Sequence, residues 1–192
     1  YGVDPKKLDI LVWNGTVMAG SDEDYKALID YVATHDMQNQ EYYEYVTSQI
    51  DIDNFIDWLI IESYFGNTDL GNIEIWRDQN GGKWRWVLYD MDWALFHGTY
   101  KWNNLSEQIF NPDGMGSGRW IDTTLQVNLL RNDQFKREFI RRYALYTSTY
   151  FNPTRLLPIY DSMIAEIKSE MPRNFERWPH NWGTWELHGG WV

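Results

Sequence analysis

Apolar residues recur with a helical period in two stretches of the first third of the chain. Between residues 21 and 36, behind a Ser21 cap, they share one helical face: Tyr25, Leu28, Ile29 and Val32. Residues 51–67, DIDNFIDWLIIESYFGN, are apolar nearly all round until Gly66. A helix apolar on every side is a buried one, and glycine is a common helix stop. The pattern therefore predicts an amphipathic helix followed by a buried helix.

Strand periodicity replaces helical periodicity in the next segment. Residues 73–77 and 84–89 alternate between the two faces of a strand, and they flank the sequence QNGG. The Asn80-Gly81 pair is typical of a tight hairpin turn. We therefore expect a small antiparallel sheet made of these two strands plus a neighbour.

The second half of the chain returns to helices after an irregular stretch. Residues 97–122 are rich in Gly and Asn, which predicts a long loop that is functional or mobile. Asn132 or Asp133 then caps one helix, and Asn152 with Pro153 at the first position begins another. The fold class predicted is α+β, mainly helical, with a small antiparallel hairpin or sheet.

Composition narrows the class of protein. The 192 residues with 43% hydrophobic content suit a single domain or the larger part of one. A net charge of −11 argues against binding to nucleic acid or to anionic membranes, and the absence of cysteine excludes disulfides and thiolate zinc sites. No segment is apolar over the length of a membrane helix. The many Trp and Tyr residues favour an extracellular protein, and the missing initiator Met suggests a piece of a longer one.

Polar and acidic residues gather at the open end of the predicted hairpin. Asp69 and Asn72 precede its first strand, and Asp90 and Asp92 follow its second. Protein kinases carry a catalytic Asp, a metal-binding Asn, a two-stranded hairpin and a metal-binding Asp in this order, for phosphoryl transfer with Mg²⁺. A hairpin brings its two ends together, so this order has a geometric reason. The alternative is that each residue satisfies backbone groups at a strand or helix end.

Asp92 has two interpretations of its own. Asp90 and Asp92 would lie on the same side of an extended chain, which suits shared coordination of a cation. Alternatively, Asp92 caps the element that follows. The four histidines lack the spacing of metal ligands, so we interpret them as surface or hydrogen-bonded residues: His35, His97, His180 and His188.

The segments GNTDLGNIEIWRD, GKWRWVLYDMDWAL and LLRNDQFKREFIRRY together resemble the spore-coat protein H (CotH) kinase-like family, from about residue 20 to about residue 180. The resemblance implies an atypical protein kinase that uses Mg²⁺ or Mn²⁺ and transfers phosphate from ATP to Ser or Thr of coat or surface proteins. It implies Asp69 as the catalytic-loop residue and Asn72 and Asp90 as metal ligands, and the spacing of Asp90 and Asp92 adds Asp92 as a candidate metal ligand. Trp84 would lie on the adenine side of the pocket.

Two departures from the kinase pattern shape the remaining expectations. Asn72 follows Asp69 by three positions, where kinase loops usually leave five, and no phosphate-covering loop with its lysine precedes them. We therefore expect residues 1–192 to be a single domain, mostly a carboxyl-terminal lobe, with the nucleotide-gripping lobe upstream. The competing functions are an inactive kinase-like scaffold domain and an extracellular carbohydrate-binding module that uses the Trp-rich tail.

Overall fold

In the described part of the chain, the sheet has four antiparallel strands rather than the two or three expected. In chain order they are β1 Leu8–Val12, β2 Thr16–Ala19, β3 Glu74–Asp78 and β4 Arg85–Val87. They lie side by side as β2-β1-β3-β4, so the amino-terminal strand β1 is central and pairs with the predicted hairpin. The computed structural model describes residues 2–12, 15–67, 72–95, 101, 103–106 and 123–178.

Helices make up most of the rest of the described chain. They are α1 Glu23–Thr34, α2 Gln40–Gln49, α3 Ile52–Phe65, α4 Thr124–Leu129, α5 Asp133–Ser148, α6 Pro153–Ile167 and α7 Met171–Arg177. The predicted caps are present: Asn132 Oδ1 accepts from the backbone N–H of Gln134, and Asn152 Oδ1 accepts from that of Thr154. The predicted class, α+β and mainly helical, is confirmed.

One face of the sheet packs on the buried helix α3. Leu11, Ile75 and Trp86 lie opposite one another on three neighbouring strands, and all three are buried. The ring of Phe55 lies 4.5 Å from that of Trp86. The Asn54 side chain accepts from the backbone N–H of Trp86 at 2.6 Å and donates to its carbonyl at 3.0 Å. This two-way bond fixes β4, and with it the hairpin, to the start of α3.

A buried ion pair joins the first strand to the hairpin. Asp9 is 2% exposed and accepts hydrogen bonds from Arg77 Nε at 2.8 Å, Gln79 Nε2 at 2.9 Å and the backbone N–H of Ser21 at 2.9 Å. Burial alone would raise the pKa of Asp9, but these donors outweigh it and the pKa is lowered. Arg77 also pairs with Asp24 of α1. The carboxylate of Asp9 therefore has a structural role, joining β1 to the hairpin and to the start of α1.

The chain divides into two units, Tyr1–Arg142 and Tyr143–Val192. The sheet and helices α1 to α4 belong to the first unit, and α6 and α7 belong to the second. The first unit therefore contains every described residue of the predicted hairpin site. That residues 1–192 form part of a larger kinase-like domain stays a prediction.

Candidate active site

The chain leaves α3 through a turn that only glycine fits well. Gly66 is left-handed, with φ of 59°, and its N–H donates to the carbonyl of Glu62. A Cβ at this position would also overlap the side chain of Asn104. The N–H of Asn67 donates to the same carbonyl at 3.2 Å. The chain is thereby directed out of α3 into residues 68–71, which carry Asp69 and lie outside the described part of the structure.

The two flanks of the hairpin meet, as their order along the chain predicts. Asn72 Nδ2 donates a hydrogen bond of 2.8 Å to Asp90 Oδ2, across the open end of β3 and β4. Both residues are partly exposed. The structure therefore brings together two of the four polar residues predicted at the hairpin end, while the metal-binding role of each stays a prediction.

The expectation that Asp90 and Asp92 share one side of an extended chain is wrong. Asp90 adopts a positive φ of 51°, in the left-handed region that non-glycine residues rarely enter. Asp92 is exposed and lies in the turn of residues 92–95 that follows. Leu95 anchors that turn by donating its N–H to the carbonyl of Phe65 at 2.8 Å. The positive φ at Asp90 thus departs from an extended chain, and the Leu95 bond joins the following turn to the end of α3.

Two buried polar side chains, Asn67 and Glu62, lie at the end of α3. Asn67 is 2% exposed, and its Nδ2 lies 3.5 Å from Sδ of Met91, the residue between Asp90 and Asp92. Glu62 is 4% exposed and has side-chain hydrogen bonds from Asn67 and Trp58. Burial raises the pKa of the Glu62 carboxyl from its usual 4.5 to about 7, although the two hydrogen bonds oppose the rise.

The sequence holds a signal for Glu62 that the hairpin pattern obscures. It is an acidic residue in the last two turns of a helix otherwise apolar on nearly every side, LIIESYF. An ionisable residue on a buried helix needs a hydrogen-bonded or functional explanation. Applied to the last two turns of the helix, that criterion points to Glu62, whereas Asp53 and Asp57 lie nearer its start and pair with Arg142.

A cavity of about 340 Å³ opens on the α3 side of the sheet. Its aromatic wall is formed by Tyr25 of α1, Phe55 and Trp58 of α3, and Trp86 of β4. Ile73, the neighbour of Asn72, also lines it. The cavity therefore begins one residue from the Asn72–Asp90 pair, and its size and apolar lining are those of small-molecule sites.

Trp84 lies in the core rather than on this wall. Its side chain is 1% exposed, with the ring of Tyr25 edge-on at 5.2 Å and the guanidinium of Arg77 at 4.9 Å. These neighbours cover its ring, so it offers no open face for an adenine in this structure. Trp86, two positions further along the same face of the strand, is the hairpin tryptophan that lines the cavity.

The donor atoms at the hairpin end suit a hard cation. Asn72 and Asp90 offer amide and carboxylate oxygens, the ligands that Mg²⁺ prefers. Among the residues that the structure describes, no cluster of three or more His, Cys, Asp or Glu side chains is placed to hold a metal. His35 is hydrogen-bonded and stacks on Tyr31 at 3.9 Å, as expected, and the other histidines fall outside the described ranges.

Comparison with known proteins decides the family. The family model described as CotH kinase protein matches residues 12–187, most of the chain. The chain belongs to the CotH kinase family. The resemblance seen in the hairpin motifs is thus confirmed, and a kinase-like function follows from it. Searches of curated proteins and of solved structures found no match.

No helix in the described ranges combines the length and the apolar character needed to span a membrane.

Proposed function

We propose that this chain of the CotH kinase family carries the catalytic-loop and metal-binding part of an atypical protein kinase that requires Mg²⁺ or Mn²⁺. It would transfer the γ-phosphoryl group of ATP to Ser or Thr of a coat or cell-surface protein. The observation that carries the proposal is the Asn72–Asp90 bond, because it joins the two flanks of the hairpin in the order that kinases use.

The metal would be held by Asn72 and Asp90, with Asp92 as a further carboxylate on the following turn. A cation at this position neutralises phosphate charge during transfer. The Asn72–Asp90 bond joins the amide nitrogen of Asn72 to Oδ2 of Asp90. The Asn72 carbonyl oxygen and the second oxygen of Asp90 are chemically suited to coordinate the ion.

Asp69 would act on the protein substrate. Its carboxylate accepts the proton of the Ser or Thr hydroxyl, whose oxygen forms the new bond to the γ-phosphorus while the bond to the ADP oxygen breaks. The products are ADP and the phosphorylated side chain. Along the chain, Asp69 lies two positions after Asn67, the last described residue at the end of α3.

The aromatic cavity is the proposed nucleoside site. The flat rings of Trp86 and Tyr25 line a space large enough for a purine, and stacking on aromatic rings binds bases with little dependence on hydrogen bonding. Ile73 connects this space to the metal pair through its neighbour Asn72. Trp86 therefore takes the place that the sequence suggested for Trp84.

The test is phosphate transfer by the full-length protein that contains this chain. With radiolabelled ATP and Mg²⁺ we expect label in Ser or Thr of the protein itself or of a coat-type substrate. Asp69→Ala should lower kcat by orders of magnitude and leave nucleotide affinity nearly unchanged, because the residue contacts the hydroxyl rather than the nucleotide. Asp161→Asn, an exposed change on α6, is the matched control.

Absence of transfer by protein that binds Mg²⁺-ATP would contradict the proposal and favour the scaffold function. Competent transfer by this chain alone would instead show that the catalytic unit needs no upstream lobe.

A further inference from the structure

Glu62 is a buried ionisable group that the proposed phosphoryl transfer does not use. It lies on α3 with 4% of its side chain exposed, and Oε2 of its carboxyl has no hydrogen-bond partner among the described residues. Burying a carboxyl with one unsatisfied oxygen is costly, and native structures contain few such groups. Its burial near the end of α3 therefore calls for a role.

The two hydrogen-bond partners of Glu62 belong to different parts of the candidate site. Trp58 lines the aromatic cavity. Asn67 begins the segment that carries Asp69, and its amide also contacts Met91. The carbonyl of Glu62 in addition receives the N–H groups of Gly66 and Asn67. One residue thus bonds the cavity wall, the start of the candidate catalytic loop and, through Asn67, the segment of the candidate metal ligands.

We propose that Glu62 is a positioning residue of the kinase site: through Asn67 and Trp58 it fixes the end of α3 relative to Met91 and to the wall of the aromatic cavity. This inference rests on the proposed function for its catalytic consequence. Its geometric part, the coupling of Glu62 to Asn67 and Met91, stands without it.

The protonation state of Glu62 determines which hydrogen bonds its carboxyl group can make. An ionised carboxylate only accepts hydrogen bonds, so it requires Asn67 to present its amide N–H groups to Glu62 and Met91. A protonated carboxyl also donates, and it can hold the amide in either orientation. Since burial raises the pKa of Glu62 to about 7, both states occur near neutral pH.

Other charged groups on the same elements are already accounted for. The two bonding partners of Glu62 are neutral. On α3, Asp57 accepts from Arg142 at 3.0 Å and Asp53 pairs with the same arginine. On the segment that Asn67 contacts, Asp90 accepts from Asn72; Asp92, on the same segment, is exposed.

Nuclear magnetic resonance tests the coupling without any activity. The probes are the methyl group of Met91, assigned with Met91→Leu, and the side-chain amide of Asn67. Between pH 5.5 and 8.5 we expect both signals to shift with one shared midpoint near 7 in the natural protein. Glu62→Gln, of the same shape but unable to ionise, should abolish both shifts. Signals that do not shift, or that shift equally in Glu62→Gln, would overturn the inference.

Kinetics then tests positioning. Glu62→Met removes both acceptor oxygens at nearly constant volume, and we expect it to lower kcat about tenfold or more. Glu62→Gln keeps an acceptor oxygen and should retain most of kcat, but it should lose any change of rate near pH 7. Ser63→Ala is the matched control, because Ser63 is equally buried on the same helix and bonds only carbonyls of that helix.

The outcomes separate the two proposals. Equal effects of Glu62→Met and Ser63→Ala on kcat would overturn a positioning role. If the natural protein transfers no phosphate but the two signals still titrate with Glu62, the proposed function fails while the coupling of Glu62 to Asn67 and Met91 is upheld.

Discussion

Glu62 makes the stability of this protein depend on pH in a way that one substitution removes. Its folded pKa of about 7 lies above the usual 4.5, so folding favours the protonated carboxyl. The stabilisation is therefore fully present below pH 4.5 and is lost as the pH rises through 7. The perturbation is Glu62→Gln, which stays neutral at every pH and keeps the shape of the side chain.

The magnitude follows from the size of the shift. A rise from 4.5 to about 7 corresponds to about 3 kcal/mol of free energy of unfolding, of which about 2.5 kcal/mol falls between pH 5 and pH 8. Other titrating groups act on both proteins equally, so the difference between natural and variant protein isolates Glu62. Relative to Glu62→Gln, the natural protein should lose about 2.5 kcal/mol on going from pH 5 to pH 8.

The assay is urea unfolding followed by tryptophan fluorescence, with both proteins at pH 5, 6, 7 and 8. The slopes with denaturant should agree between the proteins, so that midpoints report stability alone. Ser63→Ala should track the natural protein across pH with a constant offset. A difference between natural and Glu62→Gln protein that stays constant from pH 5 to pH 8 would refute the reasoning, since the folded pKa would then be ordinary.

Three further predictions concern the metal, the nucleoside and the core. Mg²⁺ or Mn²⁺ should raise the melting temperature by mass action, and Asp90→Asn should abolish that rise; an unchanged rise, seen by calorimetry, would place the metal elsewhere. Trp86→Phe should weaken ATP binding in fluorescence or calorimetric titrations of the full-length protein. Trp84→Phe is the matched change in the core and should leave ATP affinity unaltered. Equal effects of the two substitutions would contradict the nucleoside site. Arg77→Met should lower the free energy of unfolding by about 3 to 5 kcal/mol in denaturant unfolding, because it leaves the buried carboxylate of Asp9 without its charged partner. Adding Asp9→Leu should restore much of that free energy. Additive losses in the double variant would contradict this account.

Local sequence signals were enough for much of the fold. The turn at Asn80-Gly81 formed where its residues favoured it, with Gly81 at φ of 90°. The end of α3 at Gly66 and the caps at Asn132 and Asn152 were likewise specified by neighbours within a few residues. The meeting of Asn72 and Asp90 followed from the hairpin itself. Each of these features depends on short-range geometry, which sequence patterns encode directly.

Elements that depend on distant partners were missed. Strand β1 was not predicted, since it is five residues long and owes its central place to pairing with β3, more than 60 positions later. Helix α2, QEYYEYVTSQ, has only two buried residues and carries no clear apolar stripe. Their stability comes from tertiary packing rather than from local preference, and such packing routinely outweighs propensity.

The tryptophans of the hairpin show why the site could be located but not detailed from the sequence. Trp84, just before β4, and Trp86 within it are two positions apart and share one face, so strand alternation cannot tell which of them a distant residue covers. The answer depends on Tyr25 and Arg77, which lie on other elements and close over Trp84. The positive φ at Asp90 likewise cannot be predicted from strand alternation, because it departs from the extended chain that alternation assumes.

The geometry of the candidate site depends on α3 at both of its ends. At its start, Asn54 bonds both backbone groups of Trp86 and so fixes the strand that supplies the cavity wall. At its end, Glu62 and Gly66 direct the chain towards the candidate catalytic loop, and Phe65 accepts the N–H of Leu95 beyond the metal-ligand segment. A single rigid helix therefore sets the distance between the proposed nucleoside site and the proposed metal site. Transfer requires the nucleotide and the metal to be aligned to within about an ångström. A largely buried helix can support both sites at that precision because its packing restrains its movement. Glu62, the buried acidic residue of this helix, lies near the end that leads to the candidate catalytic loop.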